Sequence, residues 1–363
     1  MDERTIEWIK ISLIDGIGAK PLRTLMKTLK DPFLIYEKPE KEFLETIPDF
    51  QEFYKLIRTS KIDLSSYKKT LEDHNISVIT ILDQDYPNAL KDIPNPPAIL
   101  YLKGSFSRDD QLSISIVGSR KASYYGKQMA AKFSRSLAQM GFTIVSGMAR
   151  GIDTVAHQTA LEEGARTIAF LGSGIDIIYP KENKYLLRRI IKNGAVVSEF
   201  PLGTKPLGIN FPQRNRLISG MSIGIVVIEA TLKSGTFTTV KWALEQGKEV
   251  FAVPGDARSM TSVGTNKLIQ KGAKLIIDTD DIITEFPYLK RKDFEPPPIT
   301  EEIELTAGEK VIFDKLNETP IMIDNIIEEL KLPSSKISSI LMSLEIKGLV
   351  KQLPGKRFAR KGI

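Results

Sequence analysis

The chain's 363 residues are 42% apolar and carry a net charge of +6 with no cysteine. That length and composition suit two or three globular domains around at least one large core, and the absence of cysteine excludes disulfides, zinc–thiolate sites and thiol nucleophiles and fits a reducing compartment. The opening MDERTIEWIK is charged and amphipathic rather than a secretory signal, and no apolar run approaches the ~18 residues that cross a membrane. A soluble, cytoplasmic protein with no membrane partner is expected, and its basic excess permits an anionic partner without requiring one.

In chain order, residues 1–70 read as charged helices, with glycine only at Gly16 and Gly18. Residues 75–288 alternate short β-branched runs with helical stretches such as 129–140 and 236–246. The expected strands are 77–82, 98–102, 114–117, 143–146, 167–171, 195–198, 223–228, 249–253 and 274–277. Most are continuous apolar runs, as strands covered on both faces should be, and strand–helix alternation implies right-handed crossovers and a mainly parallel sheet. The first two strands precede the alternation and suit an antiparallel edge. Residues 289–304 include KRKDFEPPPI, a proline-rich linker. Residues 305–363 give three helices, the last N-capped near Pro333-Ser334-Ser335 and ended by Gly348, then a two-stranded hairpin turning at Pro354-Gly355: a winged-helix outline.

In a parallel sheet, ligands sit beyond the strands' carboxyl ends, and five such ends here carry unusual chemistry. Gly118-Ser119-Arg120 follows Val117. Ser146-Gly147 opens SGMARGID, which also contains Arg150 and Gly151. Gly172 and Gly174 follow Leu171. Ser234-Gly235-Thr236 starts a helix after Glu229, and Pro254-Gly255-Asp256 follows Val253. Glycine lets backbone approach closely, and helix N-termini offer unpaired N–H groups with partial positive charge. Each corner alone has an equally good reading as turn geometry; together they make an anion-binding edge. Arg120 is a fixed charge whose fork grips one phosphate through two hydrogen bonds. A second cluster, NFPQRNRLISG at 210–220, sets Phe211 beside Arg214, Asn215 and Arg216. An aromatic beside forked cations suits single-stranded nucleic acid, the ring meeting a base and the cations the phosphates. A buried Phe anchor with solvated arginines is the alternative.

Fingerprints of compact phosphate ligands are incomplete. No G-x-G-x-x-G follows a strand, and Gly126-Lys127 is followed by Gln128, which spoils a Walker A loop. Catalytic material is scarce: the two histidines are His74 and His157, no nucleophile elbow or H-E-x-x-H occurs, and no carboxylate spacing picks out a metal cage. His157 reads as a structural helix-face residue holding the adjacent loop. We expect no enzyme activity, cofactor or metal.

The ordered set VGSR (117–120), SGMARGID (146–153) followed by Ala156-His157, Tyr179-Pro180, FPQRNRLISG (211–220), Glu229-Ala230, SGTFTT (234–239), AVPG (252–255) and GTNKLIQKGA (264–273), with PPAILYLKG (96–104) upstream, resembles the DNA processing protein A (DprA/Smf) family over about 75–280. The resemblance implies an extended Rossmann-like domain that binds single-stranded DNA without sequence preference, flanked by a SAM-like helix-hairpin-helix domain and a winged helix. It implies protection of incoming DNA during natural transformation, loading of the RecA recombinase, and homodimers; a single-strand-binding protein is a further partner left open. The family's DNA-contacting arginine is matched by Arg120, and Lys181, Phe211 and Arg214 match the contributing basic and aromatic residues. Gly16-Ile17-Gly18, with Lys20, Arg23 and Lys27 beside it, suits a phosphate contact or a simple packing corner. Residues 347–361 hold six basic side chains and no acidic one, a wing that touches DNA or an ordinary solvated tail.

Two rival classes remain. The lysine-decarboxylase-like nucleotide phosphoribohydrolases carry P-G-G-x-G-T-x-x-E; LKSGTFTT keeps Gly235-Thr236 but lacks the Pro-Gly-Gly and puts Thr239 where the glutamate stands. A winged-helix regulator of duplex DNA would place binding in 305–363.

Overall fold

Nine segments pair into one sheet: β1 Ser77–Thr80, β2 Ile99–Gly104, β3 Ser113–Val117, β4 Thr143–Ser146, β5 Thr167–Phe170, β6 Gly194–Ser198, β7 Gly224–Val227, β8 Glu249–Ala252 and β9 Lys274–Leu275. The computed structural model describes residues 2–289, 305–317, 319–347 and 349–360; the expected linker beyond 289 and the Gly348 helix stop lie outside them. All nine expected strands occur, the last only two residues long. The strand order is β1-β2-β6-β5-β4-β3-β7-β8-β9. From β6 to β9 every pairing is parallel, and β1 and β2 form the antiparallel edge.

The winding reverses once. Strands β3 to β6 step outward in one direction, and the chain then returns to start β7 on the other side of β3. Helix Asn210–Met221 makes that return across the sheet. Its last turn is tied to the amino end of β3, where the Ser113 and Ser115 hydroxyls donate to the Met221 and Ile218 carbonyls, each at 2.8 Å. Its first turn, carrying Phe211 and Arg214, therefore lies at the carboxyl edge. Beside β3 this edge also receives the starts of helices Tyr124–Gln139, Ile152–Glu162 and Thr236–Glu245.

One sheet face packs Ile114, Ile116 and Ile144 against Phe133, Leu137 and Ala156 of the helices that follow β3 and β4. The opposite core runs without a break from the sheet into the N-terminal helices, joining Leu100 and Tyr101 of β2 to Trp8, Leu25, Met26 and Phe43. The Tyr67 hydroxyl donates to that of Tyr101 at 2.8 Å and accepts the Leu202 N–H at 3.0 Å. Residues 3–73 are thus helical and share a core with the sheet, in one compact unit within 1–294.

A second unit lies within 295–363. Helices Ala307–Lys315, Ile323–Leu330 and Ser334–Ile346 enclose Ile312, Ile326, Ile337, Leu341 and Phe358. Thr306 and Glu309 form a reciprocal capping box at the first helix. The wing pairs β11 Val350–Leu353 with β12 Arg357–Arg360, and β10 Ile321–Met322 adds a third strand to the two expected. No helix among the described residues is long and apolar enough to cross a membrane.

Candidate nucleic-acid interface

Phe211 is the centre of the carboxyl edge. The exposed Arg120 guanidinium lies over its ring at 5.0 Å, that of Arg214 lies at 5.7 Å, and the Tyr179 ring is tilted against it with centroids 5.8 Å apart. The residues that bring this cluster together are glycines. A Cβ on Gly172 would stand 2.8 Å from the Phe211 ring, and one on Gly147 would stand 2.7 Å from the Arg214 guanidinium. Both positions must be glycine because side chains of this protein fill the space.

The same correction applies at the other corners. Glycine was expected to admit a ligand phosphate at Gly118, but a Cβ there meets the Ile152 side chain at 2.7 Å. Gly151 has φ 77° and a Cβ position 2.3 Å from the Ser119 carbonyl oxygen, which accepts the Ile152 N–H at 3.2 Å. These two glycines lock the loops after β3 and β4 together. At Gly174 the Cβ position is taken by Asp176 and Pro201, away from the aromatic cluster. Ser146 is buried with its hydroxyl donating to the Ile116 carbonyl at 2.6 Å.

The two arginines near Phe211 in sequence, Arg214 and Arg216, which were expected to meet phosphates, are committed internally. Arg214 is 3% exposed. It donates to the carbonyls of Gly147 at 2.6 Å and of Phe170, tying β4 to β5, and to Asn215 Oδ1 at 3.1 Å. Burial lowers its pKa to about 10, the nearby Asp153 opposing, so it stays charged at neutral pH. Arg216 forks onto the Glu199 carboxylate, whose side chain is 6% exposed, through bonds of 2.5 and 2.6 Å and donates to the Asn95 carbonyl at 3.0 Å. Arg23, beside the Gly16–Gly18 hairpin, likewise donates to Pro96 and Asn95. Beneath Arg214, burial raises the Asp153 pKa to about 6 against the pull of the guanidinium. Burial, and then Arg214, lower that of His157 to about 3. His157 shares a 2.7 Å hydrogen bond with Thr167 on β5, so it anchors the helix to a strand rather than to the adjacent loop.

What remains exposed is a rim of cations. Arg120, Lys121 and Lys181 face solvent, and Arg150 is ion-paired with Glu182 at the surface. Between β3 and β7, where the winding reverses, opens a cleft of about 460 Å³. Gly118, Ser119 and Arg120 form one side, Phe211, Arg214 and Asn215 the floor, and Ser234, Gly235 and Thr236 the other side. Ser234 Oγ accepts the Thr236 N–H at 3.2 Å, and Gly235 has open space around its Cβ position. Tyr179 and Lys121 were not among the expected site residues; Tyr-Pro directly before Lys181 was the available signal. Among the described residues no group of three or more His, Asp or Glu is placed to hold a metal.

Residues 77–287 match the DNA recombination-mediator protein A family, and 295–356 match the DprA winged helix domain. Protein Smf of Synechocystis is 34% identical, with 98% of each chain covered. The crystal structure of DNA processing protein A from Streptococcus pneumoniae superposes with a TM-score of 0.68 at 32% identity, covering 78% of this chain and 99% of that one. A structure of the Helicobacter pylori protein, described for its single-stranded DNA binding mode, gives 0.53 at 30% identity, covering 61% and 97%.

Proposed function

Because the chain belongs to the DNA recombination-mediator protein A family, we propose that it binds single-stranded DNA along the carboxyl edge of its sheet and acts in DNA processing and recombination. The observation that carries this is the exposed Arg120 guanidinium resting on the half-buried Phe211 ring at the mouth of the cleft. An exposed cation–π contact is worth only about 0.5–1 kcal/mol. A strand phosphate can therefore draw Arg120 off the ring into a two-bond grip, uncovering the ring for a base.

Lys121, Lys181 and the turn at Ser234-Gly235-Thr236 then meet neighbouring phosphates. Arg214, Gly147 and Gly172 hold the platform from below without touching the strand. Ring stacking and phosphate contacts do not depend on sequence, so binding is sequence-blind. We further propose, on family membership alone, that the protein works as a homodimer in the cytoplasm, protects incoming strands during transformation and passes them to the RecA recombinase. It does so as a binding protein rather than an enzyme.

Fluorescence anisotropy of a labelled oligothymidylate with the full chain tests the site. A stacked base contributes roughly 1–3 kcal/mol, so Phe211→Ala and Arg120→Ala should each weaken binding about tenfold or more. Wild-type affinity in both variants would place the strand elsewhere.

A further inference from the structure

Helix Tyr124–Gln139 begins immediately after the β3 corner, beside the point where the winding reverses. In sheets wound this way, the first backbone N–H groups of that helix receive a ligand's phosphate. Here a carboxylate of the chain itself is already seated there. Glu229, two residues beyond β7, is 1% exposed. Its Oε2 accepts the N-cap Ser123 N–H at 2.9 Å, and its Oε1 accepts the Ser123 hydroxyl at 2.5 Å and the Thr261 hydroxyl at 3.0 Å. A Cβ on Gly126, in the helix's first turn, would stand 2.2 Å from Oε2, so the carboxylate lies directly against that turn. The Ser123 hydroxyl in turn accepts the Gly126 N–H at 3.0 Å. The segment carrying Glu229 is pinned as well, the Ala230 N–H donating to Thr261 and the Ala230 carbonyl accepting from Gly264.

We infer that Glu229 is a specificity-determining residue: a built-in anion that occupies the phosphate seat of this helix and bars the phosphates of free mono- and dinucleotides from it. Size alone does not exclude them, because the neighbouring cleft of about 460 Å³ falls in the range of nucleotide and cofactor pockets. What excludes them is that three donors suited to a phosphate are already satisfied, and that a second anion brought against a buried carboxylate is repelled in a medium of low dielectric. The edge is left with Arg120 as its phosphate grip, which a polymer reaches by lying across the exposed rim. That last step rests on the single-strand reading; the exclusion does not.

Thermal unfolding of the full chain, wild type against Glu229→Ala, tests it in pyrophosphate, ADP or acetate, with sodium chloride at matched ionic strength as control. Wild type should respond to none of the three beyond the chloride control. Glu229→Ala should unfold at lower temperature and regain about 3 °C with pyrophosphate at tenfold its dissociation constant, and respond to acetate as a replacement carboxylate. A variant with no response beyond chloride, or a wild type stabilised by pyrophosphate or ADP, overturns the inference. If Glu229→Ala does not fold, competition decides: ADP leaves oligothymidylate bound to wild type, whereas displacement overturns the exclusion. Failure of wild type to bind oligothymidylate at all would count against the single-strand site, while the pyrophosphate measurement still reads the exclusion.

Discussion

The carboxyl edge of the large sheet and the last helix of the winged unit are the two places where nucleic acid would be sought, and their surfaces differ sharply. The sheet edge sets exposed Arg120, Lys121 and Lys181 around Phe211 and Tyr179. Helix Ser334–Ile346 carries five serines, one lysine and one glutamate, and its Met342 is 65% exposed. Two basic residues of the wing are already engaged: Lys347 pairs with Glu309, and the Arg360 guanidinium lies 3.8 Å from the Phe313 ring centroid. A winged-helix outline is a backbone shape, and phosphate affinity comes from uncommitted cations. Arg120, Lys121 and Lys181 set such cations around an aromatic pair at the sheet edge, whereas exposed Lys351 and Lys356 of the wing have no aromatic pair beside them among the described residues.

The largest effect should come from below the platform. Arg214→Ala removes a buried charge and strands the Gly147 and Phe170 carbonyls and Asp153, a loss of about 3–5 kcal/mol by denaturant unfolding. Lysine lacks the Nε–H that bonds Asn215 Oδ1 beside the Nη1 that reaches both carbonyls, and should not fully rescue it. Arg120→Ala should cost no more than about 1 kcal/mol of stability, the worth of its exposed contact with the Phe211 ring, because its work is in binding. Equal destabilisation by the two variants would erase the distinction between support and contact.

Acid should strike the sheet unit through His157. Its folded pKa of about 3 lies below the usual value of ~6.5, so the unfolded chain binds the extra proton. Its contribution is present above pH ~6.5 and is lost as pH falls towards 3. Asp153 runs the other way: raised to about 6, its contribution is full below pH ~3.9 and lost as pH rises through 6. Wild-type stability followed from pH 7 to 4 should therefore fall more steeply than that of His157→Gln, and parallel curves would show that His157 carries no such linkage. The smallest effect is expected at the wing, where replacing Lys351, Lys356 and Arg357 by alanine should change oligothymidylate affinity by less than about twofold. A loss matching Arg120→Ala would reverse the comparison between the two regions.

The central strands were legible because β3 to β7 are apolar runs buried throughout, whereas β1 at one edge is only partly buried and β9 at the other is exposed; strand–helix alternation gives parallel pairing but leaves the strand order open. The position of the Arg120 corner was legible because Gly118-Ser119-Arg120 directly follows the apolar strand Ser113–Val117, although a loop arginine there serves a surface ion pair equally well. The roles of Arg214 and Arg216 were not, because Pro212 makes NFPQRNR look like a loop. Proline is tolerated in a helix's first turn, and once the helix is recognised, the period separates the side chains. Phe211, Arg214 and Asn215 share one face at i, i+3 and i+4, whereas Arg216 points elsewhere and meets Glu199. The corner glycines misled for a related reason: the space at several of them is filled by side chains distant in sequence, such as Ile152 at Gly118 and Phe211 at Gly172.

Salt dependence tests the central claim most directly, because it counts phosphate contacts rather than total affinity. Each phosphate neutralised on a single strand contributes about −0.7 to the slope of log K against log salt concentration. Anisotropy of oligothymidylate with the full chain, titrated at several sodium chloride concentrations, should give Arg120→Ala weaker binding throughout and a slope shallower than wild type by about 0.7. Parallel lines for the two proteins would contradict a phosphate grip at Arg120.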